Sequence, residues 1–248
     1  MKLKYYIISF LILLTDAHSL EISDFKPEKI IKIKSANHAL WDKWLNQYVS
    51  SEGFVNYTNG KKDLQKLIQY TEYLQSIDAV FLKGKDEQLS YYINLYNSMT
   101  VLGIYRLTQI KAVNSVPDFF KSGFYLVDKK ITLDILENKM IRLQFKNAYV
   151  HFALNCASYS CPTLLNRAFK ASSLQSDLRQ LARRYLSDAR FALIDENNKK
   201  LKLIELFKWY AVDFGNPKDF FLNVTGKKKD LSEYQIQYLG YNWNLNGK

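Results

Sequence analysis

Sulfur, proline and histidine are all scarce in this chain. Its 248 residues include only two cysteines, four prolines, nine glycines and three histidines. Two thiols with one nearby imidazole leave a tetrahedral zinc site short of a ligand, so no metal is expected. A glycine-rich phosphate loop, a metal-ligand spacing and a Gly-x-Ser-x-Gly elbow are all missing, which argues against nucleotide, metal and serine-hydrolase chemistry; no cofactor is expected. So little proline and glycine leaves no linker to mark a domain boundary, and no internal repeat is visible.

Positive charge, by contrast, is abundant. Lys and Arg outnumber Asp and Glu 35 to 24, a net charge of +11. The basic residues are scattered, the longest run being Lys227-Lys228-Lys229, and no nucleic-acid motif accompanies them, so the charge suits an acidic cell-wall polymer or is only a lysine-rich solvated surface; the partner class expected is a peptide, a glycan or a cell-wall polymer, not nucleic acid. Residues 1–19 read as an export signal: Lys2 and Lys4, an apolar run from Tyr5 to Leu14 too short to span a bilayer comfortably, then Ala17-His18-Ser19. No cysteine follows that run to carry a lipid, and no second apolar span occurs. The expectation is a single domain over residues 20–248, periplasmic or secreted, where disulfides are permitted.

Both cysteines fall in one stretch, Tyr149 to Pro162, together with His151. Tyr149 to Asn155 is β-branched and aromatic and reads as a buried strand, with His151 and Asn155 on one face and Phe152 and Cys156 on the other. Ser158, Ser160, Cys161 and Pro162 read as a turn into a helix, whose start would lower the Cys161 pKa. Two readings stay open. Cys156 or Cys161 is a nucleophile with His151 as its base, or the two cysteines pair and His151 is a core residue.

Apolar spacing predicts helices over Asn37 to Tyr48, Leu64 to Ile77 and Lys85 to Thr108. The third is apolar nearly all round from Leu89 onward, as a central buried helix is, with Ser90, Asn94, Asn97 and Ser98 in one polar stripe. Asn94 and Asn97 either pair with a neighbouring segment or line a pocket as oxyanion or amide contacts. Hairpins are expected at 124–133 and 191–204. Between them come a helix capped by Thr132, with Leu133, Leu136, Met140 and Leu143 inward, a short helix through Leu164 and Phe169, and a basic amphipathic helix over Leu174 to Leu186. Short helical pieces at Phe220 to Val224 and Leu231 to Tyr234, then a strand over Ile236 to Trp243, finish the chain. Glu137 is placed to orient His151, and His38 is a minor alternative imidazole. The fold class is α+β: helices around a small, mostly antiparallel sheet with a long buried central helix, by analogy papain-like or transglutaminase-like.

Four ordered motifs, Tyr92-Ile93-Asn94-Leu95-Tyr96-Asn97, Leu133-Asp134-Ile135-Leu136-Glu137, His151 through Pro162, and Phe207-Lys208-Trp209-Tyr210 through Asp213-Phe214-Gly215, resemble the domain of unknown function 547 (DUF547) family. The similarity runs from about His38 to Trp243. The resemblance implies an exported bacterial domain and brings no activity with it. One position departs: the family usually has histidine after the glutamate that Glu137 matches, and here it is Asn138. Two functions are weighed. One is a cysteine-dependent hydrolase or acyl transferase acting on a peptide or cell-wall amide, through Cys156 or Cys161, His151 and Glu137. The other is a non-catalytic binding domain with a Cys156–Cys161 disulfide, in which Lys208, Trp209, Tyr210 and Trp243 contact a glycan or peptide.

Overall fold

The computed structural model describes residues 21–107 and 110–247. The proposed export signal lies outside them. The first three predicted helices form as α1 (Ala39–Tyr48), α2 (Leu64–Ser76) and α3 (Lys85–Arg106). Apolar residues three and four apart give α1 and α2 one buried stripe each, and the stripes meet where Trp41 stacks on Tyr70 at 6.0 Å. Every residue of α3 from Leu89 to Ile104 is buried. It packs on α2 along one side and on later helices along the other, which is why no polar face survives in its sequence.

Strands β1 (Gly123–Leu126) and β2 (Lys129–Thr132) form the first expected hairpin, with Phe124 opposite Ile131. Thr132 then caps α4 (residues 133–145), its hydroxyl accepting from the Ile135 N–H at 3.1 Å. The interior of α4, Leu136–Arg142, is π-helical. That winding changes which residues face inward: Ile141 is buried and Leu143 is 61% exposed, against the α-helical spacing that placed Leu143 in the core. An i→i+5 turn holds more residues than an i→i+4 turn, so the apolar face slips along the sequence.

Two further expectations fail nearby, for a shared reason. Tyr149 to Asn155 is not a strand; Ala148–Phe152 is a 3₁₀ helix opened by the Asn147 side chain, which accepts from the Tyr149 N–H. Residues 161–170 hold no helix either, so Cys161 does not sit at a helix start. In both places side chains take the backbone groups that a ladder or helix would pair. Asn97 takes those of Ala153 and Asn155, Asn94 takes those of Phe169, and Asp42 takes the Ala168 N–H.

The amphipathic helix follows as α5 (Leu174–Leu186), and then the second hairpin, β3 (Ala192–Asp195) with β4 (Lys200–Ile204). Two helical turns, Leu206–Trp209 and Ala211–Phe214, lead into α6 (Pro217–Thr225). Residues 231–234 form a turn rather than a helical piece. β5 (Gln235–Leu239) joins β4 in parallel, giving a three-stranded sheet in the order β3-β4-β5. The fold is α+β, with α3 at its centre and two small sheets beside the helices.

Beyond β5 the chain crosses the cysteine stretch. The Asn246 N–H donates to the Ala157 carbonyl, and the N–H groups of Tyr159 and Ser160 donate to the carbonyls of Asn244 and Asn242. The same tail bridges Val55 through Gly247, where a Cβ would lie 1.9 Å from the Val55 carbonyl oxygen. Only glycine permits that approach.

Candidate functional site

Residues 153–162 form a loop fixed by carboxamides. The Asn97 amide donates to the Ala153 carbonyl and its oxygen accepts the Asn155 N–H, both at 2.9 Å. Asn155 in turn donates to the Pro162 carbonyl at 2.7 Å and accepts from the Ala157 N–H and the Asn246 amide. These contacts hold Ala157 in the left-handed region, φ 62°, which a non-glycine residue adopts only when its surroundings impose it. Asn94 and Asn97 are therefore architectural: both ends of each amide meet backbone, and neither side chain lines the cleft.

Cys156 and Cys161 close the loop as a disulfide. Neither sulfur is a free thiol, so in this oxidised state no cysteine nucleophile is present. Cys161 is 7% exposed, whereas Cys156 is partly exposed. Both line a cleft of about 180 Å³ together with His151, Glu137, Asn138, Tyr96, Trp209, Tyr210, Tyr241 and Trp243. Trp209 and Trp243 stack at 5.6 Å, Tyr241 packs against both, and Trp209 is 43% exposed. An aromatic cluster beneath, in which Phe207 stacks on Phe214 at 4.3 Å and Phe152 on Phe220 at 6.1 Å, seats the two helical turns that carry Trp209, Tyr210 and Asp213. Lys208 is exposed and does not line the cleft.

His151 is 3% exposed. Its Nε2 lies 2.7 Å from Asp213 Oδ2, and its ring packs against Tyr210, tilted by 31°, at 4.1 Å. Asp213, not Glu137, orients this imidazole. Burial lowers the His151 pKa to about 4, against the opposing pull of Asp213, so the ring is neutral near pH 7. Burial pushes the Asp213 carboxyl up, but hydrogen bonds from Arg142 and His151 outweigh it and hold it below the usual range. Arg142 donates to Asp213 at 2.6 Å, lies over the Tyr210 ring and also bonds Asn138. Asn138 donates to Asp134 at 2.8 Å. Asn138 thus links Asp134 to Arg142 along the π-helical wall.

Glu137 has another role. It accepts from the Tyr210 hydroxyl at 2.6 Å. Desolvation raises its pKa, while the Tyr210 and Tyr96 hydroxyls and Arg142 pull it back. His38 is remote from all this: its Nδ1 meets the Tyr70 hydroxyl at 2.7 Å, and it lines a separate cavity with Glu87 and Ser90. Asp213 and Tyr241 are the site residues that pattern reading missed. Asp213 was visible only as a carboxylate inside an aromatic run ending in glycine, and Tyr241 carried no signal of its own. Among the described residues no cluster of metal-ligating side chains occurs, and no helix is long and apolar enough to cross a membrane.

Fold and site together define an α+β domain whose buried central helix supports a disulfide-floored aromatic cleft. Residues 81–186 match the family described as "Protein of unknown function, DUF547". The match supports the resemblance drawn from the motifs, three of which fall within it; the Phe207 to Gly215 motif lies beyond. No curated protein and no solved structure matches the chain.

Proposed function

We propose that this chain is an exported, non-catalytic binding domain that takes a glycan or peptide segment into the aromatic cleft. The observation that carries the reading is the floor of the cleft: where a nucleophile would have to stand, the two sulfurs are bonded to each other. The walls suit recognition. Exposed faces of Trp209 and Trp243 offer apolar contact at small entropic cost, and the exposed Asp134 and partly exposed Asn138 offer acceptors for hydroxyl or ammonium groups. No Lys or Arg lines the cleft, which favours neutral or cationic ligands there despite the basic chain.

Intrinsic tryptophan fluorescence tests this. Titration with cell-wall oligosaccharides and with short basic peptides gives saturable quenching by one of them, and Trp209→Ala weakens that binding at least about tenfold, as loss of a central aromatic anchor does. Absence of saturable binding by either class refutes the reading.

A second reading, the cysteine-dependent hydrolase or acyl transferase, draws support from His151, held by Asp213, lining the same cleft as the sulfurs. In a reduced chain Cys156 would attack a peptide or cell-wall amide carbonyl, with His151 as the base and Asp213 orienting it. Free-thiol titration of protein purified without reductant, followed by iodoacetamide mapping, separates the two. Quantitative disulfide with no labelled thiol favours the binding domain, and one hyper-reactive thiol that His151→Ala silences favours the enzyme.

A further inference from the structure

The two sulfurs are not equivalent. Cys156 is partly exposed and Cys161 buried, and the Cys156 N–H donates to Cys161 Sγ at 2.7 Å; the Tyr241 hydroxyl sits between the sulfurs, 3.2 Å from Cys156 Sγ and 3.4 Å from Cys161 Sγ, and Ser158 Oγ lies 3.1 Å from Cys156 Sγ. Ser158 donates its hydroxyl proton to Tyr241 at 3.2 Å. That bond occupies the tyrosine oxygen as an acceptor and frees its own proton for sulfur. A disulfide sulfur is a poor acceptor, whereas a thiolate is a strong one. The backbone N–H fixed on Cys161 Sγ therefore gains most when that sulfur carries a negative charge, and the shared tyrosine proton can turn to it once the bond opens.

We propose that Cys156–Cys161 is a thiol-exchanging disulfide, entered at Cys156 by a thiol that fits the aromatic cleft and releasing Cys161 as a stabilised thiolate. The incoming thiolate attacks Cys156 Sγ, a new sulfur–sulfur bond forms there, and the electron pair of the broken bond passes to Cys161 Sγ. A second thiol then attacks the substrate sulfur of the mixed disulfide. Cys156 leaves as a thiolate and takes a proton from solvent. The balance is one substrate disulfide formed from two thiols, and one protein disulfide reduced to two thiols. Exchange of this kind is fastest when the attacked sulfur is accessible and the leaving sulfur is a stabilised thiolate; here exposure marks Cys156 for attack, and the fixed backbone donor marks Cys161 for release. The inference uses the cleft but not the identity of the ligand proposed above, so either can fail alone.

The test uses the full oxidised chain. It is exposed to 2-mercaptoethanol in one arm and to a short neutral cysteinyl peptide in the other, quenched with N-ethylmaleimide, and the mixed disulfide is mapped by mass spectrometry. The expected adduct is on Cys156 in at least one arm, and the faster arm identifies the thiol source. Tyr241→Phe, which keeps the ring, slows reduction about five- to tenfold, the effect of one lost hydrogen bond to a thiolate worth roughly 1 kcal/mol. A merely structural role would instead loosen the loop and speed reduction, the opposite sign. An adduct on Cys161, an intact disulfide in both arms, or equal rates for wild type and Tyr241→Phe overturns the proposal.

Discussion

Replacing Asn97 with aspartate changes one atom pair in the middle of the protein and makes stability depend on pH in a specific way. Asn97 is 1% exposed, with its amide on the Ala153 carbonyl and its oxygen on the Asn155 N–H. A protonated aspartic acid reproduces both bonds, since its hydroxyl donates where the amide did. An ionised one turns a second oxygen toward a carbonyl in a dry site. The folded protein therefore holds that carboxyl protonated well above the ordinary aspartate pKa of about 3.9. A raised pKa contributes stability that is present below the unfolded value and lost as pH rises through the folded one. Relative to wild type, the variant should be nearly unchanged at about pH 4 and lose about 1.4 kcal/mol per pH unit above it, or about 4 kcal/mol by pH 7 if the carboxyl stays neutral throughout. Urea unfolding of both proteins across that range, compared at each pH, measures the gap. Asn97→Ala serves as control: it orphans two backbone groups at about 1–3 kcal/mol each, whatever the pH. A pH-independent gap for Asn97→Asp, or one below about 1 kcal/mol at pH 7, would show that this carboxamide is not in the dry two-sided grip described.

Three further outcomes follow from the same geometry. Burial holds His38 and His151 near a pKa of about 4, so the unfolded chain binds more protons between about pH 6.5 and 4. Acidification across that window should cost up to about 3 kcal/mol per histidine, and urea midpoints of His38→Asn should show a shallower decline. Asp213→Asn removes the carboxylate that Arg142 and His151 share; NMR titration should find the His151 ring titrating still lower, and thermal unfolding should shift downward by several degrees, as for a loss of about 1–2 kcal/mol (about 2–4 °C per kcal/mol for a chain of this size). Gly247→Ala forces a methyl onto the Val55 carbonyl, so amide hydrogen exchange should rise at Val55 and Asn246, and not in α5.

The sequence carried its periodic elements plainly. α1, α2, α3, α5 and both hairpins stand where apolar spacing put them, because in each the backbone pairs with itself and the side chains need only choose a face. It misled wherever side chains replace backbone partners. The stretch around His151 is apolar enough for a strand, yet Asn97 satisfies the groups a neighbouring strand would take. The polar stripe on α3 was legible as a line of carboxamides, but periodicity cannot say that Asn94 and Asn97 face loops and not a cavity. In the site, the cysteine pair and the rings of Trp209, Tyr210 and Trp243 were visible. The partner of His151 was not, since Asp213 lies 62 residues further on and no local pattern links them; Glu137, nearer in sequence, is instead taken by Tyr210.

The segment that crosses the cysteine stretch has a consequence for the order in which the molecule assembles. Tyr57 bonds Asn246 across 189 positions, and Asn155 meets the same residue across 91. Contacts that far apart along a chain are costly to bring together early. The helical frame can condense from short-range contacts, but the cleft acquires its roof only after these distant strands of the chain meet. Until they meet, the cysteine loop lacks the chain that crosses it, and its sulfurs are most open to mispairing between molecules.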